Sequence, residues 1–274
     1  MQNILVPVDF SESSVNALEV AAKIAKLQNA DITVLHMLGL SEAMLTKDES
    51  QEFEEAKYYM GLAKKRFKTF LDKQYLKGIR IHKIVQNYKI FSELNNVSRE
   101  RHINLIVMGS HGTSGLNEFF VGSNTEKVVR TSDVPVLVVK DPTPDFQIKN
   151  IVFACSFGDN SVLAYKNAID FAEKFSAKLK PIYINTPYDN FLSTSETEER
   201  ISNFMFKAGG SKVQVEVYND YSVERGLFNY CNKAQMDVLA IPTHGRRGLS
   251  HFFIGSIGED VANHARLPVL TFKL

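Results

Sequence analysis

The sequence predicts an α/β protein made of two tandem doubly wound five-stranded parallel sheets, each with strand order 3-2-1-4-5. Three observations predict it. Short apolar runs alternate with longer segments of helical periodicity, which implies parallel strands covered by helices on both faces. The chain also repeats itself: Asn3, Ile4, Phe10, Ser14, Val15, Ala17, Ala21, Ala25 and Ala30 recur 147 positions later as Asn150, Ile151, Phe157, Ser161, Val162, Ala164, Ala168, Ala172 and Ala177. A glycine-bearing stretch recurs as well, at an offset of 133. His111, Gly112, Gly115, Leu116, Phe119, Phe120, Gly122 and Ser123 return as His244, Gly245, Gly248, Leu249, Phe252, Phe253, Gly255 and Ser256.

In the first copy, residues 4–8 read as a buried strand and 13–27 as a helix with Leu18, Ala21, Ala22 and Ala25 on one face. Residues 32–37 form the second strand. A long charged helix follows over 49–76, with Phe53, Met60, Phe67, Phe70 and Leu71 as its expected buried stripe. Segments 79–85, 90–101, 105–108, 123–131 and 134–139 complete the alternation as strand, helix, strand, helix and strand. The second copy repeats this order over 151–272. The two offsets differ by fourteen residues, so the second copy is expected to lack about four helical turns from the region matching 41–78. Domain one then spans 1–140 and domain two 149–274. The linker, 141–148, contains Asp141-Pro142-Thr143-Pro144-Asp145, a short stiff tether. The strands at 134–139 and 267–272 are nearly wholly apolar yet fall at sheet edges, where exposed pairing groups invite association.

At 274 residues with 44% hydrophobic content, the chain can fill two ordinary cores. Its formal charge of +1 leaves no electrostatic footprint for nucleic acid or anionic lipid. The first strand begins without a signal-like leader, and no apolar run approaches about 18 residues, so a soluble cytoplasmic protein without a membrane span is expected. Cys155 and Cys231 have neither metal spacing nor a disulfide framework, as in a reducing compartment. Cys155 reads as a small buried hydrophobe, with a redox role as the alternative.

The chemistry concentrates after the fourth strand. The run 105–108 stops at Gly109, and after a polar loop a helix opens at Gly122-Ser123. Gly109, Gly112 and Gly122 allow close backbone approach, while Ser123 and the unpaired N–H groups of the new helix favour an anion, naturally a phosphate. In a sheet of this order, ligands bind where the winding reverses, outside the carboxyl ends of strands 1 and 4. Those ends are Pro7-Val8-Asp9 and Met108-Gly109. An acidic residue would repel phosphate, so Asp9 suits ribose hydroxyls or an adenine edge; the alternative is an N-cap for the following helix. Ser110, Ser123 and Thr125 read as hydroxyl donors, because nothing nearby in sequence activates them as nucleophiles. His111 and His244 have no carboxylate partner close in sequence. No catalytic residue and no metal ligand is assigned.

Gly, two residues, Gly, nine residues, then Gly-Ser, ahead of the strand at 134–139, resembles the ATP-binding loop of the universal stress protein family. Gly109, Gly112, Gly122 and Ser123 fill that pattern; Pro242, Gly245, Gly255 and Ser256 fill it except at the first glycine. The opening NILVPVDFSESS resembles the family's first strand and turn. The resemblance implies an adenine nucleotide alpha hydrolase-like fold and a stress-response regulatory protein that holds ATP, or another adenine nucleotide, in domain one. Any Mg2+ would be carried by the phosphates. By the same resemblance the nucleoside lies against Pro7, Val8, Asp9 and Met37. The phosphates lie near Met108, Gly109, Ser110, His111, Gly112, Gly122, Ser123, Asn124 and Thr125, with His111 acting through its backbone.

Domain two is expected to be a weak or empty second site, built from Ser156, Pro242, His244, Gly245, Gly255 and Ser256. Ser156 replaces Asp9, and Pro242 lacks the N–H of Gly109; Arg246 and Arg247 offset this little. Two other functions stand beside nucleotide binding. One is a slow ATPase or other nucleotide hydrolase, although the G-x-x-x-x-G-K-[ST] loop is missing. The other is an interaction module that no longer binds nucleotide. In single-copy relatives the last strand is where subunits meet, so the resemblance implies an internal pseudo-dimer through the last strands, with a homodimer also open. An unidentified protein partner would find a surface at Met44, Phe53 and residues 58–62, for which core packing is the alternative.

Overall fold

A computed structural model describes residues 1–38, 49–86, 92–110, 123–187, 191–210, 213–243 and 267–274. The chain divides into two compact units, the first reaching Thr143 and the second beginning at Pro144.

Unit one runs β1 (Asn3–Pro7), α1 (Glu12–Gln28), β2 (Asp31–Met37), α2 (Glu49–Phe70), β3 (Ile81–Gln86), α3 (Ser92–Glu100), β4 (Leu105–Gly109), α4 (Ser123–Thr131) and β5 (Val136–Val139). All neighbouring strands are parallel, in the order β3-β2-β1-β4-β5. Central β1 pairs Ile4 with Ile32 on one side and Leu105 on the other, and all three side chains are fully buried. Helix α1 begins at Ser11, whose side chain accepts the Ser14 N–H, and lays Ala17, Leu18, Ala21, Ile24 and Ala25 on the core.

Helix α2 departs from expectation. It stops at Phe70 rather than continuing to 76, because Lys73 is extended; a 3-10 turn at Gln74–Leu76 then buries Leu76. Ala63, Phe67 and Phe70 are its buried stripe, while Met60 is 40% exposed and Tyr58 and Leu62 also face solvent. Residues 60, 63, 67 and 70 follow the helical period and share one face, so Met60 is exposed although it lies on the same stripe as Ala63, Phe67 and Phe70. Met44 and the side chain of Phe53 lie outside the described residues.

Unit two runs β6 (Asn150–Ala154), α5 (Val162–Lys174), β7 (Lys178–Asn185), α6 (Thr194–Lys207), β8 (Glu216–Asn219), α7 (Val223–Ala234), β9 (Val238–Thr243) and β10 (Val269–Lys273). Its strands are again parallel, in the equivalent order β8-β7-β6-β9-β10. The counterpart of α4 lies outside the described residues. Helix α6 spans 14 residues against 22 in α2, so the helix itself is shorter by eight, about two turns rather than four. The rest of the fourteen-residue difference falls in the flanking connections.

The repeat extends to the backbone. Phe10, Asn29 and His102 adopt the left-handed conformation, with φ of 67°, 49° and 50°; so do Phe157, Ser176 and Gln235, with φ of 53°, 52° and 48°. The first two pairs lie 147 positions apart and the third 133. Within unit one, Lys23 donates to the Thr143 carbonyl at 2.8 Å, and within unit two Phe146 and Ile148 are buried, so part of the predicted linker is packed rather than a free tether. The side chains of β5 are buried throughout, as are Leu270 and Phe272 of β10. Among the described residues no helix is long and apolar enough to cross a membrane.

Candidate functional site

In unit one the carboxyl ends of β1 and β4 lie side by side, because these strands are sheet neighbours. The chain leaving β1 is held tightly. Val8 donates its N–H to Leu35 and accepts from His36 Nδ1 at 2.8 Å, which places the proton of a neutral ring on Nδ1 and leaves Nε2 as an acceptor. Asp9 then organises the turn: its Oδ1 accepts the Ser11 N–H at 3.0 Å and the Ser14 hydroxyl at 2.7 Å, while its own N–H donates to Ser14 Oγ at 3.1 Å. The N-cap of α1 is Ser11, not Asp9. Asp9 therefore fixes the turn ahead of the helix, and its carboxylate is pre-oriented at the crevice by charge-assisted bonds.

Phe10 makes this turn possible. Its left-handed backbone costs on the order of 1 to 2 kcal/mol, and its ring offsets that by packing against His36, Phe67 and Phe70 at centroid distances of 4.5, 5.2 and 5.4 Å. The Arg66 guanidinium lies 5.8 Å from the same ring. His36 and Phe10 thus brace the turn that carries Asp9, although neither was singled out from sequence as a site residue. The signal for Phe10 was present in its recurrence as Phe157. His36 carried none, because only the parallel register brings it beside Val8.

On the β4 side, Gly109 has a packing role that the spacing did not reveal. A Cβ there would lie 2.6 Å from Ser13 Cβ and 2.8 Å from the Ser13 backbone, so the missing side chain lets α1 rest on β4 and is filled by protein. Ser110 is fully buried and its N–H donates to Val139, so that donor continues the sheet instead of facing a ligand. Thr125, on α4, is buried too, and its hydroxyl donates to the Gly109 carbonyl at 2.8 Å. Its one proton is committed, so Thr125 ties α4 to β4 and is not a phosphate donor. Met108 is buried, Pro7 and Met37 are half-buried, and Asn124 is exposed on the first turn of α4. Helix α4 begins at Ser123 as expected. His111, Gly112 and Gly122 lie outside the described residues, as does the side chain of Ser123.

Unit two builds the equivalent crevice differently. Ser156 stands in place of Asp9, so the carboxylate that closes the turn in unit one is missing at that position. Pro242 stands in place of Gly109 and would obstruct a helix held as close as Ser13. Correspondingly, the counterpart of that first helical turn is a 3-10 turn at Asp159–Ser161, and α5 starts only at Val162. Cys155 Sγ accepts the Phe157 N–H at 3.3 Å; burial pushes its thiol up to about 12, with hydrogen bonds from Phe157 and Ser161 opposing. A thiol held neutral in this way is a small apolar lining group, not a nucleophile. His244, Gly245, Gly255 and Ser256 lie outside the described residues. Among the described residues no group of three or more His, Cys, Asp or Glu is placed to hold a metal.

The universal stress protein family profile matches residues 1–140 and again 147–273. The universal stress protein YxiE of Bacillus subtilis is 30% identical over 145 residues, which is 50% of this chain and 97% of that protein. Slr1230 of Synechocystis, also a universal stress protein, is 24% identical with both chains covered in full. The crystal structure of a universal stress protein from Archaeoglobus fulgidus matches 99% of this chain and 96% of its own with a TM-score of 0.59 at 20% identity, which shows the shared fold. With both halves matched, the chain belongs to the universal stress protein family, as a tandem member.

Proposed function

We propose that this protein binds an adenine nucleotide, ATP first among them, in unit one and acts as a regulatory protein of the stress response without a dedicated hydrolytic apparatus. The observation that carries this is the Asp9 carboxylate, held by Ser11 and Ser14 at the carboxyl end of β1, next to the strand end from which the chain leads to the amino terminus of α4. A carboxylate suits a pair of ribose hydroxyls, and a helix amino terminus suits a phosphate tail. On this proposal Pro7, Val8, Asp9 and Met37 hold the nucleoside. The chain from Gly109 through His111, Gly112, Gly122 and Ser123 to Asn124 holds the phosphates, with Thr125 supporting it from behind. A Mg2+ ion would be bridged by the phosphates and keep most of its ligands as water.

The fit rests on backbone donors and one carboxylate, so it supplies orientation and leaves water activation unassigned. Association through the apolar last strands, within or between chains, belongs to the same proposal and carries its cytoplasmic setting with it. Isothermal titration with MgATP tests the nucleotide reading. One site is expected per chain, and Asp9→Ala should weaken it by roughly ten- to a hundredfold, the value of one charge-assisted bond. Unchanged affinity in Asp9→Ala would refute the assigned role of this carboxylate. Multiple turnover of ATP abolished by His111→Ala would instead make the protein an enzyme.

A further inference from the structure

Unit two carries a cavity that the nucleotide proposal leaves unused. It opens outside the carboxyl ends of β6, β7 and β9 and measures about 460 Å3, inside the span of small-molecule sites, roughly 300 to 1,000 Å3. Ile182, Ile184, Leu227 and Ile241 give it mainly apolar walls. Among its described lining residues, Arg200 of α6 is the one charged side chain. Glu196, a turn earlier on α6, does not line it; that carboxylate accepts the Ser193 N–H and hydroxyl at 2.8 and 2.7 Å and also feels the Arg200 charge.

Position by position, the crevice has changed character. Asp9 of unit one corresponds to Ser156, His36 to Tyr183 and Met37 to Ile184. The carboxylate that would grip a sugar and the imidazole beside it are both gone. A polyanionic tail would meet a single described cation, whereas an apolar body would bury the hydrophobic wall. The wall is also fixed in advance. Asn185 donates to the Leu192 carbonyl at 3.3 Å and to Asn219 at 3.2 Å, and accepts the Leu192 N–H at 3.2 Å, which sets Leu192 as one side of the cavity. Helix α7 closes on Ile184 through Gly226, where a Cβ would lie 2.7 Å from Ile184 Cγ2.

We infer that this crevice binds a small amphipathic monoanion, an apolar ring or chain bearing one carboxylate or sulfonate, with its body against Ile182, Leu227 and Ile241 and its anion at Arg200. The site is independent of unit one, so it stands or falls apart from the nucleotide proposal.

Fluorescence titration of the full chain tests it with two probes, anilinonaphthalene sulfonate and the uncharged phenylnaphthylamine. Saturable binding of both is expected, and Ser156→Trp, which fills the cavity from an exposed rim position, should remove it. Arg200→Gln should weaken the sulfonate about three- to fivefold, in keeping with a solvent-exposed ion pair, and leave the uncharged probe unchanged. Ser156→Asp, a smaller change that restores the unit-one carboxylate, should act in the same direction. Circular dichroism verifies that each variant is folded. Absence of saturable binding, binding indifferent to Ser156→Trp and Ser156→Asp, or an equal effect of Arg200→Gln on both probes would each overturn the inference. Displacement by ATP of the signal that Ser156→Trp removes would also overturn it, by making unit two a nucleotide site.

Discussion

Replacing Gly109 by alanine should destabilise unit one, whereas the same change at Gly61 should stabilise it. The methyl at position 109 would sit 2.6 Å from Ser13 Cβ and 2.8 Å from the Ser13 carbonyl carbon and oxygen. Two of those three atoms are backbone, so the clash cannot be relieved by a rotamer change; α1 must lift from β4. Overpacking of this kind costs about 1 to 3 kcal/mol, and backbone involvement argues for the upper half of that range. At Gly61, exposed within α2, a new methyl meets nothing within 4 Å, so helix propensity should add about 0.5 to 1 kcal/mol. Urea denaturation followed by circular dichroism measures both changes. Because two units can unfold in separate steps, hydrogen exchange of peptides from α1 and β4 assigns the loss to this contact. A Gly109→Ala protein as stable as its parent, with unchanged exchange in α1, would show that the glycine is not there for helix packing and would return it to the ligand role.

The left-handed positions give a second prediction. Ser176 and Gln235 are exposed, with φ of 52° and 48°, so Ser176→Gly and Gln235→Gly should each stabilise unit two by about 0.5 to 1 kcal/mol in the same titration. A third concerns alkaline pH. Burial raises the thiols of Cys155 and Cys231 from 9.0 to about 12, so between these values the unfolded chain releases protons that the folded chain keeps. Stability is therefore full below pH 9 and falls as pH rises toward 12, by about 1.4 kcal/mol per pH unit for each thiol. Cys231→Ala should flatten that slope, as read from urea midpoints across the pH range.

Much of this protein was legible in the sequence because the fold is written in a period and a repeat. Apolar runs of strand length alternating with helical stripes pointed to parallel sheets covered on both faces, and the offsets of 147 and 133 reappear in the paired left-handed residues, Phe10 with Phe157 and His102 with Gln235. Local pattern said less about what each residue does. Gly109 and Thr125 match a phosphate-loop spacing, yet the spacing cannot tell that Ser13 fills the gap above one and that the other spends its proton on a carbonyl. Met60 was expected in the core as part of the helical stripe of Phe67 and Phe70, yet it is 40% exposed, because periodicity names the face of a helix and not how far along it the core reaches.

By itself the sequence determined the architecture and the duplication, since both follow from patterns along the chain. The tertiary structure decided what the crevice walls are made of. His36 meets Val8, Asp9 closes on Ser14, and Asn185 pins Leu192 only once strands distant in sequence lie in register. Hydrogen bonds of that kind depend on separations of about 3 Å in space, a quantity that spacing in the chain does not encode.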